Sequence, residues 1–139
     1  MIPTYSKKFR AELLRKIRKG GIIIAPRRAG KTVAILTLMD QDSSYVVSCP
    51  NYQIAKEYKS KAESMGLSLG CLKRIVGPLT GKDLAAYAGR GSKIIIDEFF
   101  WWPGLTSLMG HRDIHAYVSS PFEAMHATDG KKWVSVPGA

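Results

Sequence analysis

Long apolar runs are missing from this chain. No stretch of its 139 residues approaches the ~20 consecutive apolar residues that a membrane-spanning helix requires, so no membrane partner is expected. The N-terminal residues hold no apolar segment ahead of a small-residue cleavage site, which argues against secretion and for a cytoplasmic protein. Cysteine is scarce: Cys49 and Cys71 are the only two. That excludes a disulfide framework and suits a reducing compartment with buried or free thiols. Internal repeats, linkers and low-complexity tracts are also lacking, so one domain over residues 1–139 is expected. Acidic residues are nearly absent from the first part of the chain. Residues 1–31 carry ten Lys and Arg (Lys7, Lys8, Arg10, Arg15, Lys16, Arg18, Lys19, Arg27, Arg28 and Lys31) against Glu12 alone. This local charge of +9, out of a total of +10, leaves +1 for everything after residue 31. Concentrated positive charge attracts polyanions, of which nucleic acid is the commonest; a solvated helix face plus phosphate-site residues is the equally weighted alternative.

What remains is an ordinary globular composition, 45% hydrophobic and 23% charged, arranged in alternating patterns. Residues 4–19 predict an amphipathic helix, because Phe9, Leu13 and Ile17 recur at four-residue steps with Leu14 beside them. Gly20-Gly21 stops it. Ile22–Ala25 reads as a strand buried on both faces, and residues 31–39 as a helix that begins inside a glycine loop. Tyr45–Cys49 predicts a second strand. Asn51 caps a helix over 52–65, with Gly66 at its C-terminal end. Leu72–Val76 reads as a short strand, 82–88 as a short helix, Ile94–Ile96 and Ile114–Ser119 as strands, and Trp133–Val136 as a last one. The alternation implies an α/β layer with a mostly parallel sheet flanked by helices.

Two motifs carry chemistry. Ala25-Pro26-Arg27-Arg28-Ala29-Gly30-Lys31-Thr32 fits the phosphate-loop pattern G-x-x-x-x-G-K-[ST], except that Ala25 replaces the first glycine. In such a loop the backbone N–H groups and the following helix N-terminus make a concave anion site. Lys31 is expected to reach the β- and γ-phosphates rather than to pack the core. The Thr32 hydroxyl is expected to bind Mg²⁺, and Gly30 lets the backbone approach phosphate. About sixty residues on, the apolar strand Ile94-Ile95-Ile96 ends in Asp97-Glu98, at the strand terminus where α/β sheets bind ligands. Asp97 is expected to hold Mg²⁺. Strand alternation points Glu98 to the opposite side, where it is expected to orient and deprotonate a water. A water-activating glutamate argues for hydrolysis and against a small-molecule kinase.

Other residues attract weaker functional readings. Phe99-Phe100-Trp101-Trp102 offers rings for base stacking, though packing at a sheet edge or a subunit contact is favoured. His111 and His115 have the spacing of two metal ligands on a helix, but Ile114–Ser119 reads as a strand. Arg112 and Arg90 are candidate fingers for a neighbouring subunit's nucleotide, with a plain surface role favoured for both.

These motifs together resemble the ATPase domain of the large terminase subunit, the motor that packages DNA into tailed-virus capsids. The likeness runs over roughly residues 4–135. It rests on Arg27-Arg28-Ala29-Gly30-Lys31-Thr32 as the Walker A loop and on Asp97-Glu98-Phe99-Phe100-Trp101-Trp102-Pro103 as the Walker B segment. Val118-Ser119-Ser120-Pro121 matches the coupling motif, with Trp133 similar to the aromatic positions beyond it. The resemblance implies a RecA-like P-loop fold, binding of ATP and Mg²⁺, and hydrolysis coupled to movement of DNA. It implies a homo-oligomer or larger viral motor assembly in the host cytoplasm. It also implies that Arg27, or Arg28 in a shifted register, senses the γ-phosphate in cis, while Ser119 and Ser120 couple hydrolysis to movement. Tyr5-Ser6-Lys7 stands where related motors often place an adenine-reading glutamine, so adenine preference stays open. No nuclease domain is expected: only Asp113, Glu123 and Asp129 follow the catalytic pair as acids. A helicase-like or recombination ATPase is the first alternative function. A non-hydrolysing nucleotide-binding assembly module is the second.

Overall fold

A computed structural model describes residues 7–26, 30–79, 81–98, 113–120 and 134–136. Helix α1 (Lys7–Lys19) follows the four-residue apolar stripe; the expected start at residue 4 lies outside the described residues. Leu13 and Ile17 are fully buried, with Phe9 and Leu14 packed against the same core. Burial of each such side chain contributes about 1.5–3 kcal/mol. Lys7, Lys8, Arg10, Arg15, Arg18 and Lys19 face solvent on the other side. Gly20 ends the helix with its N–H donating to the Lys16 and Ile17 carbonyls at 3.0 and 3.1 Å. Its φ is +93°, and a Cβ there would meet the His115 carbonyl at 2.6 Å. Both the left-handed backbone and the close approach require glycine.

The chain continues through β1 (Gly21–Ile24), α2 (Lys31–Gln41), β2 (Tyr45–Ser48), α3 (Tyr52–Ser64), α4 (Leu69–Lys73) and β3 (Ile75–Val76). Then follow α5 (Gly81–Gly89), β4 (Lys93–Asp97), β5 (Ile114–Ser119) and β6 (Val134–Val136). The strands form one sheet in the order β3-β2-β4-β5-β1-β6. The first five run parallel, and β6 closes against β1 antiparallel. This is an α/β fold. Strand β5 lies between β1 and β4, with Ile24 opposite Ser119 and Val118 opposite Asp97. The C-terminal ends of β1, β5 and β4 are therefore neighbours along one end of the sheet, the end where parallel sheets hold ligands.

Both faces of the sheet are covered, as the unbroken isoleucine runs predict. Ile23, Val47, Ile95, Ala116 and Val118 belong to the core shared with α1, α2, α3 and α4. Ile24, Ile94, Ile96, Ile114 and Tyr117 pack on the other face with Leu84 of α5. A bulge between β4 and β5 pairs Ile94 with Ile114 but Ile95 with Ala116. It leaves His115 as the extra residue, which is why Ile114 and Ala116, two apart, serve opposite faces. The His115 ring spans to α1, its Nε2 lying 2.9 Å from the Ile17 carbonyl oxygen.

The helix after β2 is capped as its sequence predicts: the Ile54 N–H donates to Asn51 Oδ1 at 2.9 Å, and Gly66 takes φ +74° past the end. One expectation fails. Leu72–Val76 is not a strand: residues 69–73 are helical and only Ile75–Val76 pair with β2. Ser68 starts the helix by accepting from the Cys71 N–H at 3.2 Å, and Cys71 is buried beneath it. The apolar run is thus split between two elements facing the same core. At the end of the chain, 134–136 are a strand as expected, while Trp133 lies outside the described residues.

Candidate nucleotide and metal site

The ladder between β1 and β5 extends one residue past β1, the Ala25 N–H donating to the Ser119 carbonyl at 2.9 Å. Pro26 follows, also buried. Arg27, Arg28 and Ala29 lie outside the described residues, so neither candidate sensor arginine has a described position. Gly30 resumes the chain at φ +85° and caps α2 with no side-chain hydrogen bond. The first turn of α2 carries no acidic residue. Its N–H groups therefore concentrate partial positive charge without a capping side chain among the described residues, and Lys31 adds a full charge at the same point.

Lys31 does not extend into solvent. Its Nζ lies 3.3 Å from Asp97 Oδ1 and 2.5 Å from Glu98 Oε1, with side-chain exposures of 11% for Lys31, 1% for Asp97 and 16% for Glu98. Two sequence expectations change here. Strand alternation was to send Glu98 to the side opposite Asp97, yet both carboxylates meet one ammonium. The strand ends at Asp97, and Glu98 adopts φ +49°, a left-handed backbone that breaks the alternation and turns the side chain back. Nor is Lys31 without structural weight, since it neutralises two largely buried carboxylates.

Ser119 and Ser120 complete the cluster. The Ser119 hydroxyl lies 3.4 Å from Glu98 Oε2 and the Ser120 hydroxyl 3.3 Å from Glu98 Oε1, both donating. The Ser119 hydroxyl also reaches the Ser120 carbonyl at 3.0 Å. The electrostatics divide the two acids. Burial pushes both carboxyls up. For Asp97 it prevails, aided by the Glu98 charge against the pull of Lys31 and the Tyr58 hydroxyl. For Glu98 the Lys31 charge and hydrogen bond, with Ser120, outweigh burial and hold the carboxyl below its ordinary value. Burial alone would lower the Lys31 pKa, but Asp97 and Glu98 together raise it. In this state Lys31 is charged and Glu98 is a weakened base.

A cavity of about 490 Å³ opens at this point, lined by Lys31, Thr32, Asp97 and Glu98 and, from α3, by Glu57, Tyr58 and Lys61. Such a volume suits a small-molecule ligand. Thr32, Asp97 and Glu98 offer only oxygen donors, which match a hard divalent cation such as Mg²⁺. The Lys31 ammonium between the two carboxylates marks where positive charge is drawn. Tyr58 escapes the sequence reading because, with Ala55 and Ala62, it simply looks like the buried stripe of a helix, and it is that too.

The remaining candidates are elsewhere or outside the described residues. Phe99 to Pro103, His111, Arg112, Pro121, Glu123 and Asp129 fall in the second group. Arg90 stacks over the Tyr87 ring at 5.3 Å. His115 is taken up by α1 and by an edge-on contact with Tyr45, ring centroids 5.4 Å apart. No helix among the described residues is long and apolar enough to cross a membrane. No protein-family model, curated protein or solved structure matches the chain.

Proposed function

We propose that this chain is a Mg²⁺-dependent P-loop ATPase of RecA-like fold that acts on nucleic acid, with terminase-like packaging or translocation of DNA as the leading process. One observation carries the proposal: Lys31 and Thr32 at the start of α2 share a cavity with Asp97 and Glu98 at the end of β4. The strand inserted between β1 and β4 supports the RecA-like reading, because its Ser119 and Ser120 touch the glutamate that would do the chemistry.

Each residue has its own share of the work. Lys31 turns from the carboxylates to the β- and γ-phosphates, which offer it more negative charge. Thr32 and Asp97 would hold Mg²⁺, which when bound screens the phosphate charge. The departure of Lys31 removes its hydrogen bond from Glu98 and frees that carboxylate to accept from a water. It then orients a water and accepts its proton, and ATP and water give ADP and phosphate. Ser119 and Ser120, hydrogen-bonded to the same carboxylate, transmit its position to β5. Arg27 or Arg28 supplies positive charge at the γ-phosphate. The exposed basic face of α1 supplies the nucleic-acid contact.

The test is ATP hydrolysis by the purified chain, with and without duplex and single-stranded DNA, in wild type and Glu98→Gln. Glu98→Gln is expected to bind nucleotide while hydrolysis falls by roughly 10²–10⁴. Equal rates in the two proteins, or none in either despite tight binding, would replace the motor with a nucleotide-binding assembly module. Changing Lys7, Lys8, Lys16 and Lys19 to Gln should flatten the salt dependence of DNA binding. The log–log slope should fall by about 0.9 for each duplex phosphate that is no longer neutralised.

A further inference from the structure

Tyr58 stands on the buried stripe of α3 with Ala55 and Ala62, and only 3% of it is exposed. Its ring belongs to the main core, a role phenylalanine would fill without cost. The hydroxyl is different. Tyr58 lines the cavity with Lys31, Thr32, Asp97 and Glu98, and its hydroxyl lies within reach of Thr32 and Asp97. Yet it is buried and makes no well-formed hydrogen bond, only weak approaches to Thr32 and Asp97. A buried hydroxyl so poorly partnered destabilises the protein that carries it. A tyrosine hydroxyl is a neutral donor throughout the physiological range.

The carboxylate beside it has a donor that is expected to leave. Lys31 holds Asp97 at 3.3 Å, and under the proposed function phosphate draws that ammonium away. Asp97, 1% exposed, then loses the ammonium as a partner just when it must stay oriented toward a cation, and a ligating carboxylate is positioned by its hydrogen bonds. We propose that Tyr58 is a positioning residue of the metal and phosphate site: its hydroxyl takes over the Asp97 carboxylate when Lys31 turns to phosphate, so that α3 governs the divalent-cation-dependent part of nucleotide binding. The inference rests on the phosphate-loop reading of Lys31 and Thr32. Its cost falls on the empty protein and its benefit on the loaded one.

That asymmetry separates it from a packing role. In the full-length chain, Tyr58→Phe keeps the ring and removes only the hydroxyl. Thermal melting without nucleotide or metal should show a midpoint equal to or above wild type. Binding of a fluorescent ATP analogue in EDTA should stay within about twofold of wild type. The Mg²⁺ concentration giving half-maximal enhancement of analogue binding should rise about tenfold, the worth of one charge-assisted hydrogen bond, and a Mn²⁺ titration should show the same shift. An unchanged Mg²⁺ midpoint overturns the proposal. So does an equal loss of binding with and without metal, which would make Tyr58 a core residue only. If wild type binds no analogue, or Mg²⁺ adds nothing to its binding, the phosphate and metal site itself falls and this inference with it.

Discussion

Where β2, β3 and β4 begin, polar side chains are committed to holding the chain together. Arg74 donates to the Met39, Tyr45 and Asp42 carbonyls at 2.9, 3.0 and 3.3 Å, closing the end of α2. Asp42 accepts from the Ser44 N–H and hydroxyl at 2.9 and 2.6 Å, and the Lys93 N–H donates to the Ser44 carbonyl at 2.7 Å. At the opposite end, where β1, β5 and β4 finish, the polar groups face one another around a cavity. Lys31, Asp97, Glu98, Ser119 and Ser120 form a cluster that includes a left-handed glutamate, with a poorly partnered tyrosine hydroxyl beside it. The first end has settled its hydrogen bonds largely with backbone, which cannot be exchanged for a ligand. The second has settled them among side chains that can be re-partnered, as the proposed function asks of a ligand site.

Three substitutions would break or sharpen that contrast. The largest effect is expected from Lys31→Met, which leaves two buried carboxylates facing each other. It should cost about 3 kcal/mol of stability at neutral pH, as breaking a buried ion pair does, besides abolishing phosphate affinity. In wild type the Glu98 carboxyl sits below its ordinary 4.5, so its stabilising contribution is present above that pH and lost as the pH falls through the lowered value. The variant reverses this: both carboxyls rise, and protonation relieves their repulsion. Denaturant titrations should therefore show the deficit shrinking between pH 7 and about pH 5. A deficit that stays constant across that range would mean the two carboxylates do not depend on Lys31.

Arg74→Ala comes next. It strips the donors from the carbonyls at the end of α2 and should cost about 2 kcal/mol, with nucleotide affinity of the folded fraction unchanged. A parallel fall in affinity would show that the two ends are not separable. The smallest effect is expected from Tyr45→Phe. The Tyr45 hydroxyl is as buried as that of Tyr58 and likewise makes no well-formed hydrogen bond, but its ring lies between His115 and the Lys93 ammonium, 5.1 Å away, at the settled end. Removing it should raise stability by up to about 1 kcal/mol and leave the Mg²⁺ dependence of nucleotide binding untouched. A Mg²⁺ shift like that expected of Tyr58→Phe would trace both effects to the core and not to the site.

Much of the fold is legible in local chemistry. Ile22–Ala25 and Ile94–Ile96 announce buried strands because β-branched runs bounded by glycine or an acid have little else to be. Asn51 and Gly66 bracket a helix because one accepts from its first turn and the other tolerates positive φ. Leu72–Val76 is misread because apolar character does not distinguish a strand from a short helix; the deciding bond is made by Ser68, outside the run. The site is legible as motifs but not as geometry. Nothing in Ile96-Asp97-Glu98 says that the strand stops between the acids, and one backbone dihedral decides where the Glu98 carboxylate goes. Tyr58 is illegible for another reason: its meeting with Thr32 and Asp97 exists only once helix and sheet have packed.

The pairing of β1 has a consequence in time. Both neighbours of β1 come from late in the chain, Ile24 pairing with Ser119 on one side and with Val134 on the other. A growing chain makes β1 early, yet that strand has no partner until β5 emerges and no cover on its far side until β6 does. Such long-range pairing is slow to form and leaves backbone donors and acceptors bare in the interval. During synthesis the segment around Ile22 and Ile23 is therefore exposed to wrong partners, including the same segment of another nascent copy.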